Sequence, residues 1–294
     1  MMRRHRFLLV LPVCALLIAC FPKPLPDPDP RPDPAPPPGH GYAAPWRALN
    51  ALDMTRAGRL DPDYEAQFTL CDDRNVFRDE DMTQYRFRNC SNDKNRLRAL
   101  LKFPDGTILF ESKMSLDMDG SYFACGRREG RTNLCPTAYN YSAGGGAGLP
   151  EWRRKFVNSD TVPFVVIPTS HPAGNRALGR EFREKTGTSA SRGDVGVVIY
   201  NEKVVPIFIA DAGPHNKIGE GSLKLFEEVG ADRCLERLAA NPDYCNRYRN
   251  ASVTGKVVTI LFPNSGIRGL TPENTNEKVR EKAMRLYREL LQTY

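Results

Sequence analysis

The sequence lacks the features by which several protein classes are recognised. It contains no Cys-x-x-Cys pair, and His40, His171 and His215 stand alone, so a zinc site is not indicated. No internal repeat is visible. The apolar run 7–18 is too short to span a bilayer as a stable anchor. These absences leave an ordinary globular protein without an obvious metal site.

Strong charge is also missing. The formal net charge is only +7, and three of the arginines responsible, Arg3, Arg4 and Arg6, stand at the very start of the chain. The remaining basic residues are dispersed along the sequence and form no cluster that would line a groove. Binding to nucleic acid is therefore not expected.

The first twenty residues have the layout of a secretory signal, with arginines before the apolar run 7–18. The run ends in Leu17-Ile18-Ala19-Cys20, which resembles the bacterial lipobox, whose cysteine is lipidated after cleavage. We therefore predict an exported protein anchored to the cell envelope, in the periplasm or at the cell surface, by a lipid on Cys20 alone. An ordinary signal peptide or an uncleaved anchor is the alternative.

A proline-rich segment follows the signal. Between Pro22 and Gly39 nearly every second residue is proline, a composition that favours extended polyproline II and cannot bury a core. The sequence therefore divides into a signal at 1–20, a linker at 21–41 and a folded domain at 42–294. The length of 294 residues allows one large domain or two small ones, and a hydrophobic content of 40% over the whole chain is enough for a sizeable core.

The cysteines predict disulfides. Eight are present, and six remain once Cys14 leaves with the signal and Cys20 takes the lipid. An even number in an exported chain favours disulfide bonds. The short-range pairings are Cys71 with Cys90, Cys125 with Cys135, and Cys234 with Cys245.

The folded domain is predicted to be mainly β with a few helices. Five short runs rich in branched or aromatic residues predict strands, at 108–116, 162–167, 195–200, 204–209 and 257–262. Helical spacing predicts a helix from Ser222 to Val229 that ends at Gly230, and a C-terminal helix with Thr271 and Pro272 as its start signal. Because strands and helices do not alternate, we expect a small closed β-barrel with a C-terminal helix rather than an α/β sheet.

One stretch indicates chemistry. An apolar strand ends at Asp211, a loop with glycine and proline follows, and Glu220 stands just before a helix. Two carboxyl groups at one loop suit glycosidic bond cleavage, which needs one acid to protonate the leaving oxygen and one carboxylate to activate water or attack the sugar. Gly213, Gly219 and Gly221 would leave room for a bulky chain. A routine turn and a favourable helix start are the alternative interpretation.

Three blocks in this region resemble the chitosanases of glycoside hydrolase family 75. They are Phe-Val-Asn-Ser-Asp-Thr-Val-Pro-Phe-Val-Val-Ile-Pro at 156–168, Gly-Asp-Val-Gly-Val-Val-Ile-Tyr at 193–200, and Ile-Ala-Asp-Ala-Gly-Pro-His-Asn-Lys-Ile-Gly-Glu-Gly-Ser at 209–222. The Asp-rich run 113–120 is similar to a further motif of that family. The loop after Asp211 also looks like the Asp-Arg-Gly-Pro turn of the double-psi barrels in lytic lipoproteins, which suggests that barrel topology.

The resemblance implies an inverting endo-hydrolase of chitosan or a related amino-sugar polysaccharide, acting as a glycosidase. Glu220 would be the general acid and Asp211 the base that activates water. Because a carboxylate at a helix start is stabilised in its charged form, the order of these two roles stays open. Asp117 and Asp119 are predicted to bind substrate, with a surface turn as the alternative.

The expected partner is thus a polysaccharide substrate. We expect the protein to be a monomer and to need neither a cofactor nor a metal. Cys125 to Cys135, with the basic residues between them, and a basic loop at 171–192 depart from the family's pattern. An acidic or neutral glycan, including peptidoglycan-like chains, is therefore the alternative substrate. The competing hypothesis is a non-catalytic glycan-binding lipoprotein of the cell envelope with the same barrel.

Overall fold

Six strands of the computed structural model close into a ring. The structure describes residues 52, 56–59, 76–78, 84–86, 99–126, 135–141, 148–170, 187–201, 203–214 and 218–294, all within the unit Pro36–Tyr294. The predicted signal, the linker, Cys20, the pairing of Cys71 with Cys90 and the basic loop up to residue 186 lie outside the described residues.

The strands of the ring lie between residues 108 and 261. In chain order the described strands are β1 (Gly58–Arg59), β2 (Val76–Arg78), β3 (Gln84–Arg86), β4 (Ala99–Lys102), β5 (Ile108–Asp117), β6 (Phe164–Ser170), β7 (Val195–Tyr200), β8 (Lys203–Pro214), β9 (Glu220–Ser222), β10 (Cys234–Leu238), β11 (Asn241–Tyr248) and β12 (Val253–Leu261). The ring runs β5, β12, β7, β8, β6, β9 and back to β5, while β4 and β1 extend it beside β5.

Pairing within the ring is mixed. β8 and β6 are parallel, and so are β9 and β5, whereas the other neighbours in the ring are antiparallel. β7 and β8 form the hairpin expected from the short spacing between them, with Asn201 at φ 46° in the turn. The closed barrel confirms the predicted fold class, and the five predicted strands are all present with ends shifted by a few residues.

Three α-helices decorate the barrel in the described part of the chain: α1 (Glu151–Lys155), α2 (Leu223–Glu228) and α3 (Thr275–Thr293). The Ser222 hydroxyl caps α2 by accepting from the Leu225 N–H at 3.2 Å, and Gly230 follows at φ 85°. The C-terminal helix begins at Thr275, later than predicted, because Thr271 and Asn274 form a turn before it. Within the described residues, none of the helices is both long and apolar enough to cross a bilayer.

The core has two parts, one on each side of the sheet. Ile207 and Ile209 of β8 belong to the first part, together with residues of α2, whereas Phe208 and Ala210 belong to the second, which α3 covers. This alternation is the expected consequence of strand geometry, in which successive side chains point to opposite faces. Both faces of β8 are therefore buried, which explains its nearly continuous apolar sequence.

Two disulfides are present among the described residues. Cys125 is bonded to Cys135, and Cys234 is bonded to Cys245, as the spacing predicted. The first ties a π-helical turn, Tyr122–Gly126, to the segment 135–141, and the second joins β10 to β11. Disulfides persist in oxidising environments, so their presence indicates such an environment for this protein.

Candidate active site

The two carboxylates predicted to be catalytic stand in one row across the barrel wall. Glu220 of β9 is the cross-strand partner of Val166 on β6, and Val166 is also the partner of Asp211 on β8. Residues directly opposite each other in a sheet project from the same face. Glu220 and Asp211 therefore lie on one face with Val166 between them, and two strand spacings put their Cα atoms about 10 Å apart.

A β-bulge in β8 determines the face from which Asp211 projects. The pairing of β6 with β8 goes from Val165 opposite Ile209 to Val166 opposite Asp211, so Ala210 is an extra residue. Without that residue, strict alternation would direct Asp211 to the core face occupied by Ile209. Bulges commonly re-aim a side chain in this way beside a functional site. Here the bulge brings Asp211 onto the face of Glu220.

Asp211 is almost fully buried, with 6% of its surface exposed. Its Oδ1 accepts hydrogen bonds from the backbone N–H groups of Ala138 at 2.9 Å and Ala212 at 2.7 Å. Burial raises the pKa of Asp211 well above its ordinary value, and the charge of Glu220 raises it further. The two N–H donors and a hydrogen bond from Asp119 act in the opposite direction by stabilising the carboxylate.

Asp117 and Asp119 lie beside Asp211. Asp117 ends β5 and its Oδ1 accepts from the Asp119 N–H at 2.9 Å. Side-chain oxygens of these two residues and of Asp211 all lie within 4.8 Å of one another. The structure thus brings together four acidic residues, because Glu220 acts electrostatically on both Asp119 and Asp211. Asp117 and Asp119, predicted as substrate-binding residues, are next to the predicted base.

The turn that carries Asp119 depends on Gly120. The Ser121 N–H donates to the Met118 carbonyl at 3.1 Å, and Gly120 has φ +75°, as the third position of a type II turn requires. A Cβ atom at this position would lie 1.8 Å from the Val157 carbonyl oxygen. The turn is therefore seated directly on the backbone at Val157, and a larger residue is excluded.

Asp119 is the protonated member of the cluster. Burial is the largest cause that raises its pKa, followed by the charges of Asp117, Asp211 and Glu220. An ionised carboxylate can only accept hydrogen bonds, so the hydrogen bond between Asp119 and Asp211 requires a proton. Carboxylate oxygens at this spacing are also the donor type that a hard cation takes. The proton between Asp119 and Asp211 reduces the repulsion between the carboxylates, as a bound cation would also do.

Gly213 provides the space for the Glu220 side chain. A Cβ atom at position 213 would lie 2.9 Å from Glu220 Oε2 and 2.9 Å from Val166 Cγ1. The prediction that this glycine leaves room for a bulky substrate chain therefore needs correction, because the room is taken by the catalytic candidate itself. Gly219 has φ +79°, and its absent side chain allows contact with the Lys113 carbonyl of β5.

Glu220 stands just before a helix, as predicted, but outside the first turn of that helix. Glu220 opens the short strand β9, and α2 begins three residues later with no acidic residue in its first turn. Glu220 is partly exposed, unlike Asp211. The stabilisation of charge by a helix N-terminus, which works against an acid role, falls off within the first turn and does not apply here.

Sequence reasoning missed the residues that hold the acids in place. The segment 135–141 supplies the Ala138 N–H to Asp211 and the Tyr139 N–H to the carbonyl of Ala210 in the bulge, at 2.8 Å. The Ser159 hydroxyl donates to the Asp117 carbonyl at 2.6 Å and accepts from the Leu223 N–H at 2.9 Å. Ser159 lies in the quoted block 156–168, but backbone donors such as Ala138 leave no signal in a sequence.

The arrangement is suited to acid–base chemistry. It combines a buried carboxylate with several donors, a neutral carboxylic acid beside it and a partly exposed carboxyl group two strands away on the same face. Groups with pKa values moved by burial and by neighbouring charges are common at catalytic sites.

Comparison with protein-family models and with curated proteins finds no match for this chain.

Proposed function

We propose that this protein hydrolyses glycosidic bonds in an amino-sugar polysaccharide such as chitosan. The observation that carries the proposal is the row formed by Asp211, Val166 and Glu220, which places two carboxyl groups on one face of the barrel wall. Hydrolysis of a glycosidic bond needs two such groups on either side of the linkage. The resemblance of the blocks around these residues to chitosanases supports the same chemistry.

Inversion of configuration is part of the proposal because the resemblance to the chitosanases implies it. Carboxyl groups of inverting enzymes are about 6.5 to 9.5 Å apart, whereas those of retaining enzymes are about 5 to 5.5 Å apart. The Cα atoms of Asp211 and Glu220 are two strand spacings, about 10 Å, apart. Glu220 Oε2 lies over Gly213 of β8, so its carboxyl group is nearer to Asp211 than the backbone spacing. The anomeric form of the product therefore distinguishes the two mechanisms.

Asp211 is proposed as the general base and Glu220 as the general acid. Three hydrogen bonds to the Asp211 carboxyl group favour its ionised form, which a base needs in order to take a proton from water. Glu220 is the more exposed of the two, which supports its assignment as the acid that would protonate a glycosidic oxygen. Asp117 is proposed to bind ammonium or hydroxyl groups of the substrate, and Asp119 to bind substrate while it supports the base.

We further propose that the enzyme is exported and lipid-anchored through Cys20. The two disulfides support an oxidising compartment. The proline-rich linker would hold the domain away from the membrane, where a large polymer can reach the barrel.

The experiment is an assay of the purified chain against chitosan, chitin and peptidoglycan, with the anomeric form of the first product followed by NMR. We expect chitosan cleavage that yields the inverted anomer, and a loss of at least about 100-fold in Glu220→Gln, because acid catalysis contributes about 10²–10⁴. Glu236→Gln, the same change on the exposed part of β10, is the matched control.

Three results would contradict the proposal. Activity of Glu220→Gln equal to that of the control would remove Glu220 from the chemistry. Retained configuration would exclude the inverting mechanism. Retention of the protein on insoluble glycan with no turnover of any of the three polymers would favour the alternative, a glycan-binding lipoprotein.

A further inference from the structure

The segment 135–141 crosses the barrel wall where Asp211 is held. It begins at Cys135, which is bonded to Cys125, and its central N–H groups reach β8 in succession. Ala138 donates to the Asp211 carboxyl group and Tyr139 donates to the carbonyl of the bulge residue Ala210. Any shift of this segment therefore changes the hydrogen bonds of the proposed base.

Thr137 fixes the segment from inside. Its side chain is buried, with 2% of its surface exposed. The hydroxyl oxygen accepts from the Val157 N–H at 3.0 Å and donates to the Tyr139 carbonyl at 3.1 Å. One hydroxyl group thus joins the segment both to the backbone at Val157 and to its own next turn, on either side of the Ala138 N–H.

The same side chain touches the turn that carries Asp119. Thr137 Cγ2 would lie 3.1 Å from a Cβ atom at Gly120, and the Val157 carbonyl lies against that glycine as well. The backbone of Val157 therefore contacts both elements. Its N–H group binds Thr137, and its carbonyl group contacts Gly120. The hydroxyl and methyl groups of Thr137 are placed to set the separation between Asp119 and Asp211.

We propose that Thr137 is a positioning residue, which holds the Ala138 N–H on Asp211 and spaces the turn of Asp119 against it. The role goes beyond packing, because the hydroxyl group acts on the carboxylate through a named backbone donor. Loss of that donor would destabilise the ionised form of Asp211. The kinetic part of the test rests on the proposed function, whereas the structural part does not.

The test uses the full chain and two substitutions at one position. Thr137→Val keeps the shape and removes the hydroxyl group, and Thr137→Ser keeps the hydroxyl group. The titration of the Asp211 carboxyl carbon is followed by NMR, with the resonance assigned through Asp211→Asn. We expect the midpoint in Thr137→Val to rise by about one pH unit, since two or three N–H donors together lower a carboxyl pKa by about two units. Thr137→Ser keeps the hydroxyl group but lacks the methyl group, so its midpoint should lie closer to that of the original protein than the midpoint of Thr137→Val does.

The matched control is Thr107→Val. Thr107 is also buried, with its hydroxyl group donating to Asp105 at 3.1 Å, but it precedes the first residue of β5. It is therefore about 30 Å along that strand from Asp117, at about 3.3 Å per residue. This variant should lose stability without moving the Asp211 midpoint. Where glycan hydrolysis is observed, the acid limb of the pH–rate profile should move in Thr137→Val by the same amount as the midpoint.

An unchanged Asp211 midpoint in a folded Thr137→Val protein would overturn the proposal, as would an equal shift in Thr107→Val. Should Thr137→Val fail to fold, Thr137→Ala, which also removes the hydroxyl group, replaces it in the titration with the same expected direction of shift. An Ala138 amide signal in the original protein that does not respond to the titration of Asp211 would also overturn the proposal. Absence of glycan hydrolysis with a shifted midpoint would reject the proposed function and leave the role of Thr137 standing.

Discussion

Two buried aspartates show how differently the same side chain is used in this protein. Asp160 has 2% of its surface exposed and Asp211 has 6%. Burial raises the pKa of Asp160 to about 6, while the Tyr122 N–H donor and the charges of Arg237 and Arg153 lower it. At Asp211 the charged neighbour, Glu220, raises the pKa instead. Asp160 is compensated by cations, whereas Asp211 belongs to a group of acids.

The difference indicates which of the two acids serves the fold. An acid beside arginines and a backbone donor ties the π-helical turn Tyr122–Gly126 to the turn at Asp160. An acid crowded by other acids costs stability and is expected where chemistry requires a shifted pKa. Four measurements test whether Asp160 and Asp211 differ in this way.

The largest effect is expected from changing each aspartate to asparagine and measuring hydrolysis. Asp211→Asn should lower kcat by about 10²- to 10⁴-fold, the usual contribution of a general base. Asp160→Asn should stay near the original rate, because Asp160 holds a structural turn. Equal losses in both variants would mean that the contrast between the two acids does not separate fold from function.

The second measurement is stability against pH. The folded pKa of Asp160, about 6, exceeds its ordinary value of 3.8, so ionisation of this group opposes folding. The contribution of Asp160 to the free energy of unfolding should therefore be highest below about pH 4 and fall by about 3 kcal/mol as the pH rises through about 6. Urea denaturation of Asp160→Asn should lack this part of the fall. Asp243→Asn, an exposed substitution nearby, is the control and should keep the full fall. Parallel curves of free energy against pH for Asp160→Asn and the original protein would show that Asp160 does not cause the fall.

A smaller effect is expected from Gly213→Ala. The added methyl group would meet Glu220 Oε2 and Val166 Cγ1, so the Glu220 carboxyl group must move aside. A displacement of about 1 Å can cost about 100-fold in rate, and we expect a loss of about 10- to 100-fold in kcat with little change in stability. Gly266→Ala, whose added methyl group would make only ordinary contacts, is the control. Unchanged kcat in Gly213→Ala would show that the position of Glu220 is not critical.

The smallest effect is in the pH–rate profile of the original protein. Because the pKa of Asp211 is raised, the base is lost by protonation as the pH falls through a value above the ordinary aspartate range near 3.9. We expect about a tenfold fall in rate per pH unit below that point, and the same limb in Asp160→Asn. A limb near pH 4 would mean that Asp211 does not titrate as the base.

Local sequence patterns predicted most of the strands and helices, but not how the strands pair. The runs of branched residues in β5, β7 and β12 marked these strands because such residues suit a pleated, buried surface. β10 and β11 were missed, since their residues are largely polar or exposed and lack clear alternation. The sequence also cannot show that β9 pairs in parallel with β5, because that register depends on contacts about a hundred residues apart.

The same reasoning explains the outcome for the site. Asp211 and Glu220 were identified from their loop and from the resemblance, and the structure places them on one face. The extra residue Ala210 that directs Asp211 to this face has no signature in an apolar run. The neutral state of Asp119 follows from burial and from three neighbouring carboxyl groups, and neither is visible in an Asp-x-Asp-Gly motif.

Strand β9 has a consequence for how activity and folding are linked. This strand of three residues closes the ring by joining β5 to β6, and its first residue is Glu220. Under the proposed function, detachment of β9 would separate the general acid from the wall that bears the base. Turnover would then require the closed ring, and its loss would report the opening of β9.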